Sequence, residues 1–239
     1  MNMAFRFFLF FAMTYLLACT GEQVPETTTA TEQPAKVVQT STAESSPIGT
    51  RSAMEMVAAG YKRYGIEKGI LYYRLDGAVK GTETIYFDNW GWREAKYINT
   101  KTQVGNFREE TNMVNYLDGE KRYEYDPATN TANWFESPQV AKAAEKYGTK
   151  DMTIVGDEMI KNMGGRKVKT EEFAGVECDV WEIDRYKTTL WMWKGLTLKE
   201  RSKTDNIPIG RTCLVIDQDK PIPEEKITVP ENAKLVKAN

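Results

Sequence analysis

The sequence contains no histidine. Histidine is the commonest general base near neutral pH and the commonest zinc ligand, so its absence removes the usual catalytic and zinc-binding arrangements. Only 3 cysteines occur in 239 residues, which is too few for a fold held together by disulfides. The 32 basic and 34 acidic residues give a net charge of −2, and this balance argues against a nucleic-acid-binding protein.

No stretch in the N-terminal region is long enough to span a membrane. The charge-free run from Phe7 to Ala18 is far shorter than the ~20 apolar residues that a transmembrane helix needs. The run follows Arg6 and is followed directly by Cys19, which is the organisation of a signal peptide over residues 1–18. The Leu-Leu-Ala-Cys ending resembles the bacterial lipobox, which implies that Cys19 is acylated and anchors the mature chain to a membrane. The alternative is an ordinary secretory signal in which Cys19 occurs by chance.

Residues 19–50 are rich in Thr, Ser, Glu, Gln and Pro and contain no aromatic side chain. A segment of this composition cannot bury enough apolar surface to offset the entropy lost on ordering. The sequence therefore predicts a lipidated cysteine followed by a disordered tether, with a folded domain over residues 51–239.

The folded part has the alternation of β-strands. Strand-like runs are separated by turn sequences such as Asp76-Gly77 and Asp118-Gly119. Two stretches of helical spacing, residues 137–147 and 151–163, interrupt this pattern midway. We predict an α+β fold: a large curved antiparallel sheet of about ten strands, a half-barrel, with helices covering its concave face.

Two cysteines lie in the predicted strands. In a simple meander two further strands separate Cys178 from Cys213, and at ~4.8 Å per strand their Cα atoms are too far apart to bond. We predict two separate buried thiols. A disulfide between them would require a different strand order.

Four segments stand out as a group: GTETIYFDNWGWREAKY, FAGVECDVWEI, LWMWKGLTLKERSK and ITVPENAKLV. They resemble the LolA/LolB-like periplasmic lipoprotein-carrier superfamily, including Bacteroidetes-type outer-membrane lipoproteins. The resemblance implies a half-open barrel, plugged by helices, that encloses a hydrophobic cavity for acyl chains. Together with Thr20 after the lipidated cysteine, it also implies an outer-membrane lipoprotein facing the periplasm.

Two groups of side chains are candidates for lining such a cavity. One is an apolar stripe on the second helix, and the other is a set of tryptophans on the later strands. Methionine is flexible and suits exchangeable apolar contents, whereas tryptophan offers a large apolar surface. Plain core packing and cross-strand pairing are the alternatives for both groups. The candidates are Met152, Val155, Met159, Met163, Trp181, Trp191 and Trp193.

The sequence has no nucleophile-elbow, phosphate-loop or metal-ligand motif. Adjacent carboxylates such as Glu171-Glu172 point to opposite faces of a strand and form no acid/base pair. We therefore predict a monomeric, non-enzymatic binding protein with no catalytic residues, metal or cofactor, whose partners are a membrane and a lipid or lipoprotein ligand. The alternatives are a protein-interaction or envelope-structural lipoprotein with a self-filled core, and an enzyme that uses Asp, Glu and Tyr.

Overall fold

The computed structural model of the protein describes residues 50–204 and 207–238. The predicted signal peptide, the lipidation site at Cys19 and the predicted tether up to Gly49 lie outside the described residues. No helix of the described part is long and apolar enough to cross a membrane.

The described part contains four α-helices, and one sheet of twelve strands dominates it. The helices are α1 (Ala53–Ala58), α2 (Gln139–Tyr147), α3 (Met152–Asn162) and α4 (Glu224–Ile227). The strands are β1 (Gly69–Gly77), β2 (Val79–Asp88), β3 (Arg93–Val104), β4 (Phe107–Asp118), β5 (Lys121–Asp126), β6 (Thr131–Glu136), β7 (Arg166–Phe173), β8 (Val176–Ile183), β9 (Thr188–Trp193), β10 (Leu196–Thr204), β11 (Ile207–Asp217) and β12 (Lys234–Lys237).

The sheet order is β12-β6-β5-β4-β3-β2-β1-β11-β10-β9-β8-β7. All pairings are antiparallel except that of β12 with β6. The predicted α+β class and the single large curved sheet are confirmed, and the sheet stays open. It has twelve strands where the sequence indicated about ten. The parallel strand β12 has only four residues, too few for a clear alternation.

The two central helices connect opposite edges of the sheet. Strand β6 lies beside the edge strand β12, whereas β7 forms the other edge, so the α2–α3 connection runs between the two margins. The start of α3 is fixed to the N-terminal segment, because Lys62 N donates to Lys150 O (3.0 Å) and Met152 N donates to Lys62 O (2.8 Å). Asp151 caps the helix by accepting a hydrogen bond from Thr153 N at 2.9 Å.

One face of the sheet is covered by the C-terminal segment. Tyr97 and Tyr116 pack edge-to-face with their ring centroids 6.5 Å apart, and Ile227 of α4 belongs to the same core cluster. The Tyr97 hydroxyl donates to Lys226 O at 3.0 Å, which fixes α4 against the strands. Alternate residues of β3 therefore project away from this cover. We call the opposite face, which carries Leu71, the inner face.

The two described cysteines are free and buried, as predicted. Strands β9 and β10 lie between the strand of Cys178 and that of Cys213, which confirms the geometric reason. Burial raises the pKa of each thiol to about 11, so both are largely protonated at neutral pH.

Candidate functional site

The apolar stripe of the second helix lies on α3 and at its C-terminal end. Val155 is fully buried, whereas Met152, Met159 and Met163 are half-buried. Burial raises the pKa of Asp157 on the same helix, and the charge of Asp179 on β8 adds to this effect, so α3 lies close to β8. The predicted stripe thus faces protein along one side of α3, with three flexible methionines at its margin.

The three candidate tryptophans do not share one face of the sheet. Trp181 pairs with Leu190 across β8 and β9, whereas Trp191 pairs with Val180 in the next position. Side chains alternate along a strand, so Trp191 and Trp193 project from one face and Trp181 from the other. The indole Nε1 of Trp181 is buried without a hydrogen-bond partner in the described part of the chain, whereas the Trp191 indole interacts with the Glu171 carboxylate and helps to lower its pKa.

The inner face carries a buried ion pair that the sequence analysis missed. Arg211 of β11 donates from Nε to Glu83 Oε1 of β2 at 3.1 Å and forms a second, shorter contact through Nη2. Its Nη1 donates to Thr197 O at 2.9 Å, and its guanidinium lies 3.5 Å from the centroid of the Tyr73 ring. Only 14% of the Arg211 side chain and 5% of the Glu83 side chain are exposed. Arg211 is therefore held by three neighbouring elements at once.

A second buried carboxylate lies further along the same face. Glu94 accepts a hydrogen bond from the Tyr64 hydroxyl at 2.5 Å and lies 3.3 Å from Arg63 Nη1. Burial alone would raise the pKa of Glu94, but the positive charges of Arg63 and Lys96 outweigh it and lower that pKa. Glu94 is thus held in its charged form.

Lys96 lies between these two groups and is only 6% exposed. It faces Ile85 of β2 on one side and Asn115 of β4 on the other. Burial lowers the pKa of Lys96, and the electrostatic effects of Glu83 and Glu94 offset this only in part. Oδ1 of Asn115 is buried and has no hydrogen-bond partner among the described residues. Such groups are rare in well-packed cores, where buried polar atoms are normally satisfied.

The buried charges were missed because their sequence pattern is ambiguous. In Thr-Glu-Thr-Ile, Glu83 alternates with threonine as it would on a solvated strand face. Only the pairing of β1 with β11 brings Arg211 beside it, and these strands are far apart in the chain. A pattern of charges at alternate positions could have signalled a polar inner face, but it could not have shown which face is covered.

An open groove of about 770 Å³ lies elsewhere, between the hairpin turns that follow β1 and β3. Its walls include Gly77, Lys80 and Asn99, and none of the seven predicted ligand-binding residues lines it. Within residues 50–204 and 207–238, no cluster of three or more Cys, Asp or Glu side chains could hold a metal ion.

No family model and no curated protein matches the chain. Among solved structures, an uncharacterized conserved protein from Thermus thermophilus matches with a TM-score of 0.45 and 8% identity, covering 78% of this chain and 99% of that one. MucB matches with a TM-score of 0.39 and 10% identity, covering 77% and 65%. The Mycobacterium tuberculosis lipoprotein LppX matches with a TM-score of 0.32 and 8% identity, covering 72% and 94%. These low scores support no statement about what this chain binds or does.

Proposed function

We propose that this chain is a lipid-anchored protein of the bacterial cell envelope that binds a lipid or acyl chain between the inner face of its sheet and the α2–α3 connection. The anchor is the acylated Cys19, and the proposed location is the outer membrane, facing the periplasm. The protein acts as a monomer, has no catalytic role and does not bind nucleic acid.

The observation that supports this proposal is a buried polar atom on the inner face that has no hydrogen-bond partner. Asn115 Oδ1 is buried without a partner in the described part, and Met159 and Met163 of α3 are only half-buried. In a core that the protein fills with its own side chains, such polar atoms have hydrogen-bond partners and such apolar side chains are fully buried. A bound molecule with an apolar part and a polar part would do both.

A second candidate is a protein-interaction or envelope-structural role with a self-filled core. It is favoured by the tight contacts of Arg211 with Glu83 and Tyr73, which fill part of the inner face with the protein's own side chains. In that case the half-buried methionines are ordinary packing.

Native mass spectrometry of the full-length protein, followed by lipid extraction, tests the first proposal. The proposal expects a mass excess that extraction identifies as lipid. It also expects Met159→Asn to reduce occupancy severalfold. Ile154→Asn, on the exposed side of the same helix, is the matched control and should leave occupancy unchanged. Absence of lipid from the purified protein, together with no uptake from vesicles, would favour the self-filled alternative.

A further inference from the structure

The inner face buries one cation that has no direct ion pair. Arg211 is bound to Glu83, and Arg63 is bound to Glu94. Among the described residues, Lys96 interacts with both carboxylates electrostatically but forms a direct ion pair with neither, and it is only 6% exposed. A buried charge without a direct counter-ion is costly unless a counter-charge reaches it.

Other charged groups surround Lys96 without forming an ion pair with it in the described part of the chain. Glu200 faces Arg211 across β10 and β11, where burial raises the pKa of Glu200 and the charge of Arg211 opposes that rise. On the other side, Glu124 pairs with Asn115 across β4 and β5. Arg122, two residues earlier on β5, acts on Glu94 as a further positive charge.

The region beside Lys96 becomes progressively more open. Lys96 is buried, its cross-strand neighbour Asn115 is half-buried, and every residue of β5 is half-buried. A polar group can therefore approach Lys96 along the row that runs from β5 through Asn115. The Asn115 amide can offer this group either its oxygen or its NH₂ by rotation about its last torsion.

We infer that Lys96 and Asn115 form a binding site for the anionic group, phosphate or carboxylate, of an amphipathic ligand. This inference rests on the proposed function and names the chemical class of the ligand. The anionic group of the ligand forms the ion pair that Lys96 lacks, and the Asn115 amide donates a hydrogen bond to that group. The apolar part of the ligand then extends toward the methionines of α3.

Lys96→Met is a suitable perturbation because it keeps the length of the side chain and removes the charge that the proposal invokes. It also removes a positive charge that acts on Glu94, so a thermal melt of the variant first checks that it is folded. Lys101→Met is the matched control, because Lys101 lies on the same strand with 69% of its side chain exposed and pairs with Glu110.

The experiment is a native mass spectrometry competition with the full-length protein. The protein is offered equal amounts of phosphatidylglycerol and diacylglycerol with identical acyl chains, and glycerol 3-phosphate is added in a separate arm. We expect the wild type to favour the anionic lipid about tenfold, since only that lipid has a phosphate that can accept a charge-assisted hydrogen bond from Lys96. Lys96→Met should bring the ratio close to one, and Lys101→Met should leave it unchanged.

Each outcome separates the two proposals. Equal binding of both lipids by the wild type, or a preference that survives in Lys96→Met, would overturn the anion site and leave the lipid-binding function standing. No binding of either lipid would overturn the function itself. Competition by glycerol 3-phosphate at the concentration at which the lipid binds would support the anion site but assign it to a soluble phosphate ester.

Discussion

Removing Arg211 should destabilise the protein strongly, because it would leave the buried Glu83 carboxylate without its counter-ion. In Arg211→Met the Glu83 carboxylate, 5% exposed, loses its buried counter-ion. Tyr73 also loses the guanidinium that lies 3.5 Å from its ring centroid. Breaking one side of a buried ion pair costs about 3–5 kcal/mol of unfolding free energy. Urea unfolding measures this value through tryptophan fluorescence, and all 6 tryptophans lie in the described residues.

A double-mutant cycle then isolates the pair. Glu83→Gln with Arg211→Met should cost less than the sum of the single changes, with a coupling of about 0.5–3 kcal/mol, because neither partner is then left charged and alone. Lys101→Met, which breaks the exposed pair with Glu110, should cost about 0–1 kcal/mol. If Arg211→Met lowered the free energy of unfolding as little as Lys101→Met does, the Arg211–Glu83 pair would be hydrated in solution and not buried.

Two further changes test other features of the fold. Gly119→Ala should lower the free energy of unfolding by at least about 2 kcal/mol more than Gly105→Ala. The two glycines have nearly the same backbone angle, since φ is +60° at Gly119 and +58° at Gly105. Of the two, only Gly119 would place a Cβ against backbone, 2.1 Å from Arg51 O. Equal losses of unfolding free energy would refute the steric reason. Asp157→Asn should stabilise the protein at pH 7 and do so less as the pH falls toward the unfolded pKa of aspartate, because burial and Asp179 raise the pKa of Asp157 in the folded state. Thermal melts over this pH range measure the difference, and a larger gain in acid would contradict it.

The architecture could be predicted because its signals are local. Alternating side chains and turns such as Asp118-Gly119 specify individual strands and hairpins, and consecutive strands pair throughout most of the sheet. Ser52 likewise forms a capping box with Glu55, a signal four residues long. Cys178 and Cys213 could be placed apart because strand spacing alone decided it.

The buried charges could not be predicted because they depend on the pairing of two strands that are far apart in the sequence. Strand β1 pairs with β11, and that pairing sets Arg211 beside Glu83, 128 residues earlier in the chain. A threonine-flanked glutamate is typical of a solvated strand, so its local sequence favoured exposure. For the same reason the sequence could not show which of Trp181 and Trp191 lies on the inner face. Their strand face follows from alternation, but what covers each face depends on where α3 and α4 pack.

The polar centre of the inner face limits what the proposed ligand can be. A purely apolar occupant would exclude water from Lys96 and offer it nothing in return, so the ammonium would lose hydration that the open side near β5 now permits, and Asn115 Oδ1 would stay without a partner. That loss opposes the gain from burying an acyl chain, about 0.8 kcal/mol per methylene. With an anionic ligand the contribution of Lys96 to the binding free energy becomes favourable, because the ion pair between Lys96 and the ligand strengthens as water leaves. Binding of an uncharged hydrocarbon as tightly as an anionic lipid would therefore mean that the apolar chain lies away from Lys96.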